Sequence, residues 1–229
     1  MRPGRAFIRR MIDLSVVRSH PNATLRLNRE FRADLEWWFQ FATGWNGISI
    51  LAPAKALAPD GLITSDASGN WGCGAFHNQS WFQLQWTHAT IHWHITSKEL
   101  LPIVIAAAMW GSKWAGKTIK ALCDNMAVVH ILRSHQSKDP TVMHLVRCLS
   151  LIESTYDFTI VSEHLPGKHN SLADALSRNN IAYFLSYCPQ AQADPTPIPS
   201  QLRKSLTSER PDWTSRNWAS QFKAIISKA

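Results

Sequence analysis

The sequence predicts an α/β sandwich built on a mixed sheet, and three observations carry that reading. Between Gly61 and about Asn180, short strand-like runs alternate with helix-like ones. The first three strand runs are separated only by turn residues, which makes them an antiparallel meander. The two later strands are each entered through a helix, the crossover that a sheet of this kind requires.

The elements follow in order. Up to about Pro59 the chain holds two helical stretches, FIRRMIDLSVV (residues 7–17) and REFRADLEWWFQFATGWNG (residues 29–47). In the second, Phe31, Leu35, Trp38, Phe39 and Ala42 recur at three- and four-residue spacing and mark an apolar face, with Gly44 or Gly47 as a stop. Core packing is the commoner use of such aromatics, and base stacking the rival one. Pro53 and Pro59, with alanines between them, read as a linker. LITSDASG (62–69) and WGCGAFHN (71–78) are strands joined by a Gly-Asn turn, and WFQLQW (81–86) follows after Asn78, Gln79 and Ser80. ITSKELLPIVIAAAMWGSKW (95–114) lacks alternation and is rich in Leu, Ala and Met, so it reads as a buried helix with Thr96 or Ser97 as N-cap. GKTIKALCD (116–124) alternates and reads as a strand, followed by helices over 125–134 and 139–156. A strand over 157–165 and a short helix over 171–178, opened by Asn170 or Ser171, complete the series. Beyond them lie a proline-rich tether (189–200) and a last short helix within 212–229. The expected division is a helical N-terminal segment 1–60, an α/β domain 61–180, and a linker with a short helical tail 181–229.

GSKWAGKT, Gly111 to Thr118, fits the phosphate-binding pattern G-x-x-x-x-G-K-[ST] letter for letter. That loop works when a strand precedes it and a helix follows, so that free N–H groups at the helix start cradle phosphate. Here the predicted order is reversed. Gly111 and Gly116 then end a helix and make a turn, Lys117 is a solvated charge at a strand start, and no ATP site is expected.

The chain has 229 residues, 45% of them hydrophobic, which suits a folded core. No run approaches the roughly 18 apolar residues of a membrane span, and the basic start lacks the apolar segment of a secretory signal. The four cysteines are scattered without a C-x-x-C pair and read as buried thiols in a reducing compartment, cytoplasmic or nuclear. The sequons at Asn22 and Asn78 then carry no glycan. The net charge of +8 points to a polyanionic partner, but it is unevenly spread. Residues 1–60 carry nine basic against five acidic side chains, 61–180 nine against eight, and 181–229 six against three. The middle section keeps its acids inside a basic protein.

Four of those acids fall at strand ends or helix starts: Asp66 in ITSDASG, Glu99 in SKELL, Asp124 in LCDNM and Asp174 in LADAL. Asp66 and Asp124 each follow an apolar run, where an acid is costly unless paired or bound to a cation. Asp124 has the rival reading of a helix N-cap, and Asp174 that of a first-turn dipole partner. Those readings explain two acids singly and leave the set of four unexplained. Carboxylates gathered from separate elements suit Mg²⁺, and two such ions support in-line hydrolysis of a phosphodiester. His88, His92 and His94 have no acid or cysteine at ligand spacing nearby, so zinc is not expected.

TSDASGNWGCGA, SKELLPIVIAAAMW, CDNMAVVHIL and, above all, HLPGKHNSLADALSR resemble the type 1 ribonuclease H domain of retroelement reverse transcriptases. The resemblance covers about residues 61–180. The flanks RRMIDL, DLEWWFQFATGWNG and DWTSRNW resemble the connection and tail segments of tyrosine-recombinase retroelements of the DIRS type. It implies a five-stranded ribonuclease H-like fold with a helical N-terminal extension and a short C-terminal tail. It implies that Asp66, Glu99, Asp124 and Asp174 hold two Mg²⁺ ions, with Mn²⁺ as substitute, and cut the RNA strand of an RNA/DNA hybrid. His169 occupies the loop where the family carries a histidine that assists product release. Lys98, Lys168, Arg178 and Asn125, each near a proposed ligand, are expected at phosphates, and Ser68 and Asn70 at sugar hydroxyls. The chain lacks a Tyr-x-Asp-Asp signature, so a polymerase domain, in cis or in trans, is the expected partner. The alternative function is an inactive module of the same fold used for binding. An integrase or transposase is disfavoured because the last acid is Asp174 and not a glutamate.

Overall fold

The computed structural model describes residues 3–16, 20, 22–43, 58–208 and 217–229. The expected meander is present: β1 (Gly61–Ala67), β2 (Gly72–His77) and β3 (Ser80–Gln85) pair antiparallel, with Asp66 opposite Gly74. The β2–β3 turn places Asn78 at φ 54°, a left-handed conformation that Asn tolerates better than most residues. A helix, α3 (Ile95–Trp110), then leads to β4 (Thr118–Cys123), and α4 (Met126–Ser134) with α5 (Pro140–Tyr156) leads to β5 (Thr159–His164). Both later strands run parallel to their neighbours, giving the sheet order β3-β2-β1-β4-β5. This is the mixed five-stranded sheet flanked by helices that the alternation of strand and helix signals predicted.

The two faces of the sheet are covered by different helices. Ile63, Cys73, Ala75, Phe82 and Leu84 pack with α3, whose residues from Ser97 to Trp110 are all buried between the sheet and α5. On the other face lies the short helix α6 (Ser171–Ser177), which crosses β1, β2 and β3. Gly74 makes that crossing possible: a Cβ there would stand 2.5 Å from the Cβ of Leu176. The N-cap of α3 is His94, two residues before the nearer expected cap, and its Nδ1 accepts from the Thr96 N–H. The phosphate-loop pattern joins α3 to β4 as a 3₁₀ turn, Gly111–Trp114, followed by Gly116 at φ 72°. Lys117 is exposed and its Nζ donates to the Lys113 carbonyl; a strand follows the glycines where a phosphate loop needs a helix.

The N-terminal segment packs on α5. A 3₁₀ turn (Pro3–Phe7), α1 (Arg9–Val16) and α2 (Arg29–Thr43) place Phe7 in a parallel stack with Trp37, centroids 4.0 Å apart, and Trp37 stacks in turn on Phe41. The buried stripe of α2 differs from the one expected. It runs through the buried Asp34 and Trp37 and the half-buried Trp38 and Phe41, while Leu35 and Phe39 are exposed. Asp34, 1% exposed, carries the stripe across an acid because Arg147 of α5 reaches it at 3.3 Å and Arg10 of α1 at 3.9 Å. The expected stop at Gly44 or Gly47 and the linker residue Pro53 lie outside the described residues.

The chain after α6 is more ordered than the expected tether. α7 (Ile181–Tyr187) buries Phe184 against Trp81, and α8 (Ser200–Thr207) buries Leu202 and Leu206 in the main core. α9 (Trp218–Ile226) adds Phe222 and Ile226 to the same core. Between α7 and α8 the chain follows the outer side of β3. The Gln192 and Thr196 N–H groups donate to the carbonyls of Gln79 and Trp81, and Trp81 Nε1 donates to the Gln192 carbonyl. At the opposite margin, Glu153 accepts from the Ile160 N–H of β5 and Arg133 donates to the Ser162 carbonyl. Among the described residues no helix is long and apolar enough to cross a membrane.

Candidate active site

β1 and β4 are adjacent and parallel, so their C-terminal ends open on the same edge of the sheet. Asp66 is the sixth residue of β1 and Asp124 the first residue beyond β4. Asp66 pairs with Gly74 and therefore faces the α6 side, where α6 brings Asp174. Glu99 comes from the opposite layer, one turn into α3. Two layers of the sandwich thus deliver four carboxyls to one edge, close enough for their charges to act on one another.

The electrostatics follow from burial. Asp66 is 5% exposed, and burial pushes its carboxyl up to about 6, with the Asp124 and Asp174 charges adding to the rise. A Ser177 hydrogen bond and the Arg178 charge oppose it. Glu99, 4% exposed, is pushed up to about 9, by burial first and then by Asp66 and Asp124. Burial and Glu99 also push the Cys123 thiol up, so it stays protonated, with Sγ 3.9 Å from Glu99 Oε2. Ligating atoms of Glu99, Cys123 and Asp124 lie within 4.8 Å of one another. The charged donors of the group are hard carboxylate oxygens, and a divalent cation of the Mg²⁺ type fits that donor set. Asp174 Oδ1 meets Arg178 Nε at 2.7 Å, but both side chains are well exposed and water screens the pair.

A pH dependence follows. The folded chain keeps protons on Asp66 and Glu99 that an unfolded chain releases near pH 4, so stability falls as pH rises from about 4 through about 6 for Asp66 and about 9 for Glu99. Metal-free protein is expected to lose on the order of 5 kcal/mol between about pH 5 and about pH 8. Mn²⁺ or Mg²⁺ is expected to restore it more at the higher pH, because ligation needs the ionised carboxyls. Thermal unfolding in a chelator and in metal, across that pH range, checks both signs; a melting temperature that rises with pH in the chelator contradicts the assignment.

The remaining expected site residues divide into two groups. Asn70, Lys168, His169 and Arg178 are exposed near this edge, with Lys168 and His169 in a 3₁₀ turn, Gly167–His169. That turn stands beside Asp124, since a Cβ on Gly167 would lie 3.4 Å from Asp124 Oδ2. His164 Nε2 is 3.1 Å from the Asp124 carbonyl and steadies the residue from β5. Asn125 is half-buried and caps α4, accepting from the Ala127 and Val128 N–H groups, so Asp124 is left free of the capping role. Ser68 and Lys98 are engaged inside the protein. The Ser68 hydroxyl donates to the Ser177 carbonyl at 2.7 Å and accepts from the Trp71 and Gly72 N–H groups. Lys98 donates to the Gly69 and Ile91 carbonyls at 2.7 and 2.8 Å and lies 5.4 Å from the Trp86 ring. They brace the turn after Asp66. Sequence reasoning did not find the part played by Asn170 and Ser177, which fasten α6 over β1; the one available signal was an Asn one turn before Asp174, read only as a helix opener.

No family model matches the chain, and no curated protein does. Among solved structures, LC11-RNase H1 in complex with an RNA/DNA hybrid is 19% identical at a TM-score of 0.43, with 54% of this chain covering 99% of that one. The N-terminal ribonuclease H domain of a Mycobacterium tuberculosis protein, fused to maltose-binding protein, is 17% identical at a TM-score of 0.39, with 57% of this chain covering 99% of that one. The sheet order β3-β2-β1-β4-β5, with helices on both faces, is the mixed α/β arrangement expected from the sequence.

Proposed function

We propose that the chain is an endonuclease that hydrolyses the RNA strand of RNA/DNA hybrids, as the ribonuclease H part of a retroelement-derived reverse transcriptase. The observation that carries this reading is the convergence of Asp66, Glu99, Asp124 and Asp174 on one edge of the sheet, with two of them buried and held above their ordinary pKa. Such a cluster is costly to keep unless a cation uses it. Two bound Mg²⁺ ions, or Mn²⁺, would supply an activated water and charge stabilisation for the leaving 3′ oxygen.

The chain's own residues do the rest. Asp66 and Asp124, at the ends of adjacent strands, and Glu99, on a helix buried on all sides, offer rigidly held oxygens. Asp174 offers a more exposed one. Glu99, which burial keeps protonated, would release that proton on holding a cation. Lys168, Arg178, Asn70 and the free amide of Asn125 face outward around this edge, where they bind phosphates and sugar hydroxyls of the substrate. His169, exposed beside Asp124, assists departure of the 5′-phosphate product. The partner in this reading is a polymerase domain, in cis or in trans. Four free buried cysteines fit an intracellular setting, cytoplasmic or nuclear.

The test is cleavage of a labelled RNA/DNA hybrid, with single-stranded RNA and duplex DNA as controls, in Mg²⁺, Mn²⁺ or a chelator. Metal-dependent cutting of the RNA strand of the hybrid alone is the expected result. Folded protein that binds the hybrid yet cuts nothing in Mn²⁺ is instead an inactive binding module of the same fold.

A further inference from the structure

Asn170 opens α6, yet its side chain makes no capping hydrogen bond to that helix. An Asn at this position ordinarily accepts from the second or third N–H of the helix, and forgoing that bond costs helix stability. The amide points into β1 instead: Nδ2 donates to the Ser65 carbonyl at 3.1 Å and to Asp66 Oδ1 at 3.3 Å. The side chain is 1% exposed, and its buried Oδ1 has no hydrogen-bond partner among the described residues. The other end of the same helix is also fastened, through the Ser68 hydroxyl on the Ser177 carbonyl.

We propose that Asn170 is a positioning residue for hydrolysis: its amide fixes the Asp66 carboxylate in one orientation and seats α6 so that Asp174 stands over the same edge. The proposal rests on the nuclease reading. A neutral donor suits this place, because it leaves the full negative charge of Asp66 available and takes up only one of its two oxygens. A lysine or arginine there would compete with the cation, and a carboxylate would repel Asp66. The one amide also ties together two ligands from different elements, since α6 carries Asp174 one turn after Asn170.

Asn170→Ala and Asn170→Leu test this, the second keeping the volume while removing the amide. Two readouts apply to each: Mn²⁺ titration followed by the shift in melting temperature, with metal alone, and kcat and KM on a labelled hybrid. The expected result is a Mn²⁺ half-saturation raised about 10-fold and kcat lowered about 10- to 100-fold, with KM within about 3-fold of wild type. Raising Mn²⁺ recovers part of kcat. A variant that is less stable but titrates with Mn²⁺ and turns over like wild type has lost a structural contact only, and the proposal is overturned. Wild-type protein that gains no stability from Mn²⁺ and cuts no hybrid overturns the nuclease reading itself, which separates the two failures.

Discussion

Asp66→Asn is expected to lower hybrid cleavage by about 1,000-fold, roughly 4 kcal/mol of lost transition-state stabilisation, while the fold survives. In metal-free protein near pH 8 the same change raises stability, on the order of 2 kcal/mol, because the wild-type carboxyl is ionised there against burial and two neighbouring charges. Opposite signs for activity and stability distinguish a ligand from a packing residue, which loses both. Asp124→Asn is expected to match it in cleavage. Glu99→Gln is expected to abolish cleavage equally with little change in metal-free stability at neutral pH, since the native Glu99 already holds its proton there. Asp174→Asn costs less, because its side chain is 42% exposed and water can take its place. Cleavage rates and calorimetry in a chelator measure the two effects. Asp66→Asn or Asp124→Asn protein that cuts like wild type removes the enzyme reading.

The second large effect lies far from the acids. Asp34→Asn is expected to destabilise the whole chain by about 3 to 5 kcal/mol, a fall in melting temperature of roughly 10 °C. Burial already presses the Asp34 carboxyl toward its neutral form and the Arg147 guanidinium toward its own, and each is kept charged by the other. Removing the acid leaves Arg147, 1% exposed, with a charge that water cannot reach. Arg10 also loses the Asp34 charge, but it is 19% exposed and Glu30 and Asp13 still act on it. The double change Asp34→Leu with Arg147→Met is expected to recover most of the loss, since apolar replacement of a buried pair is often neutral. Urea unfolding of the three variants measures this. A double variant no better than Asp34→Asn would mean that the pair contributes packing and not charge balance.

Much of this architecture was legible because local rules and the global fold agree. Strands β1 to β3 announce themselves by tight turns, and α3 by an apolar run too long and unalternating for a strand. The acids stood out for a different reason: Asp66 and Asp124 each follow an apolar run, and the rival capping role of Asp124 falls in the structure to Asn125. Three features escaped for stated causes. The buried face of α2 passes through Asp34, and an apolar periodicity count excludes an acid whose partner is 113 residues away. α7 and α8 are short and flank a proline-rich stretch, so their stability comes from burying Phe184, Leu202 and Leu206, contacts that no local propensity records. Ser68 and Lys98 sit beside metal-ligand candidates in sequence, but proximity along the chain does not fix side-chain direction. Both turn inward to carbonyls, and the turn after Asp66 is the firmer for it.

The margins of the sheet have a consequence for assembly. An open edge strand is a template on which a second chain can add a strand, the usual route to runaway association of β proteins. Here the segment around Gln192 to Thr196 lies along β3 and answers its carbonyls, and Glu153 and Arg133 take up backbone groups of β5. Strand addition at either margin would first have to strip away these bonds. Cutting the chain between α7 and α8 would therefore expose a sticky border that this segment keeps shut.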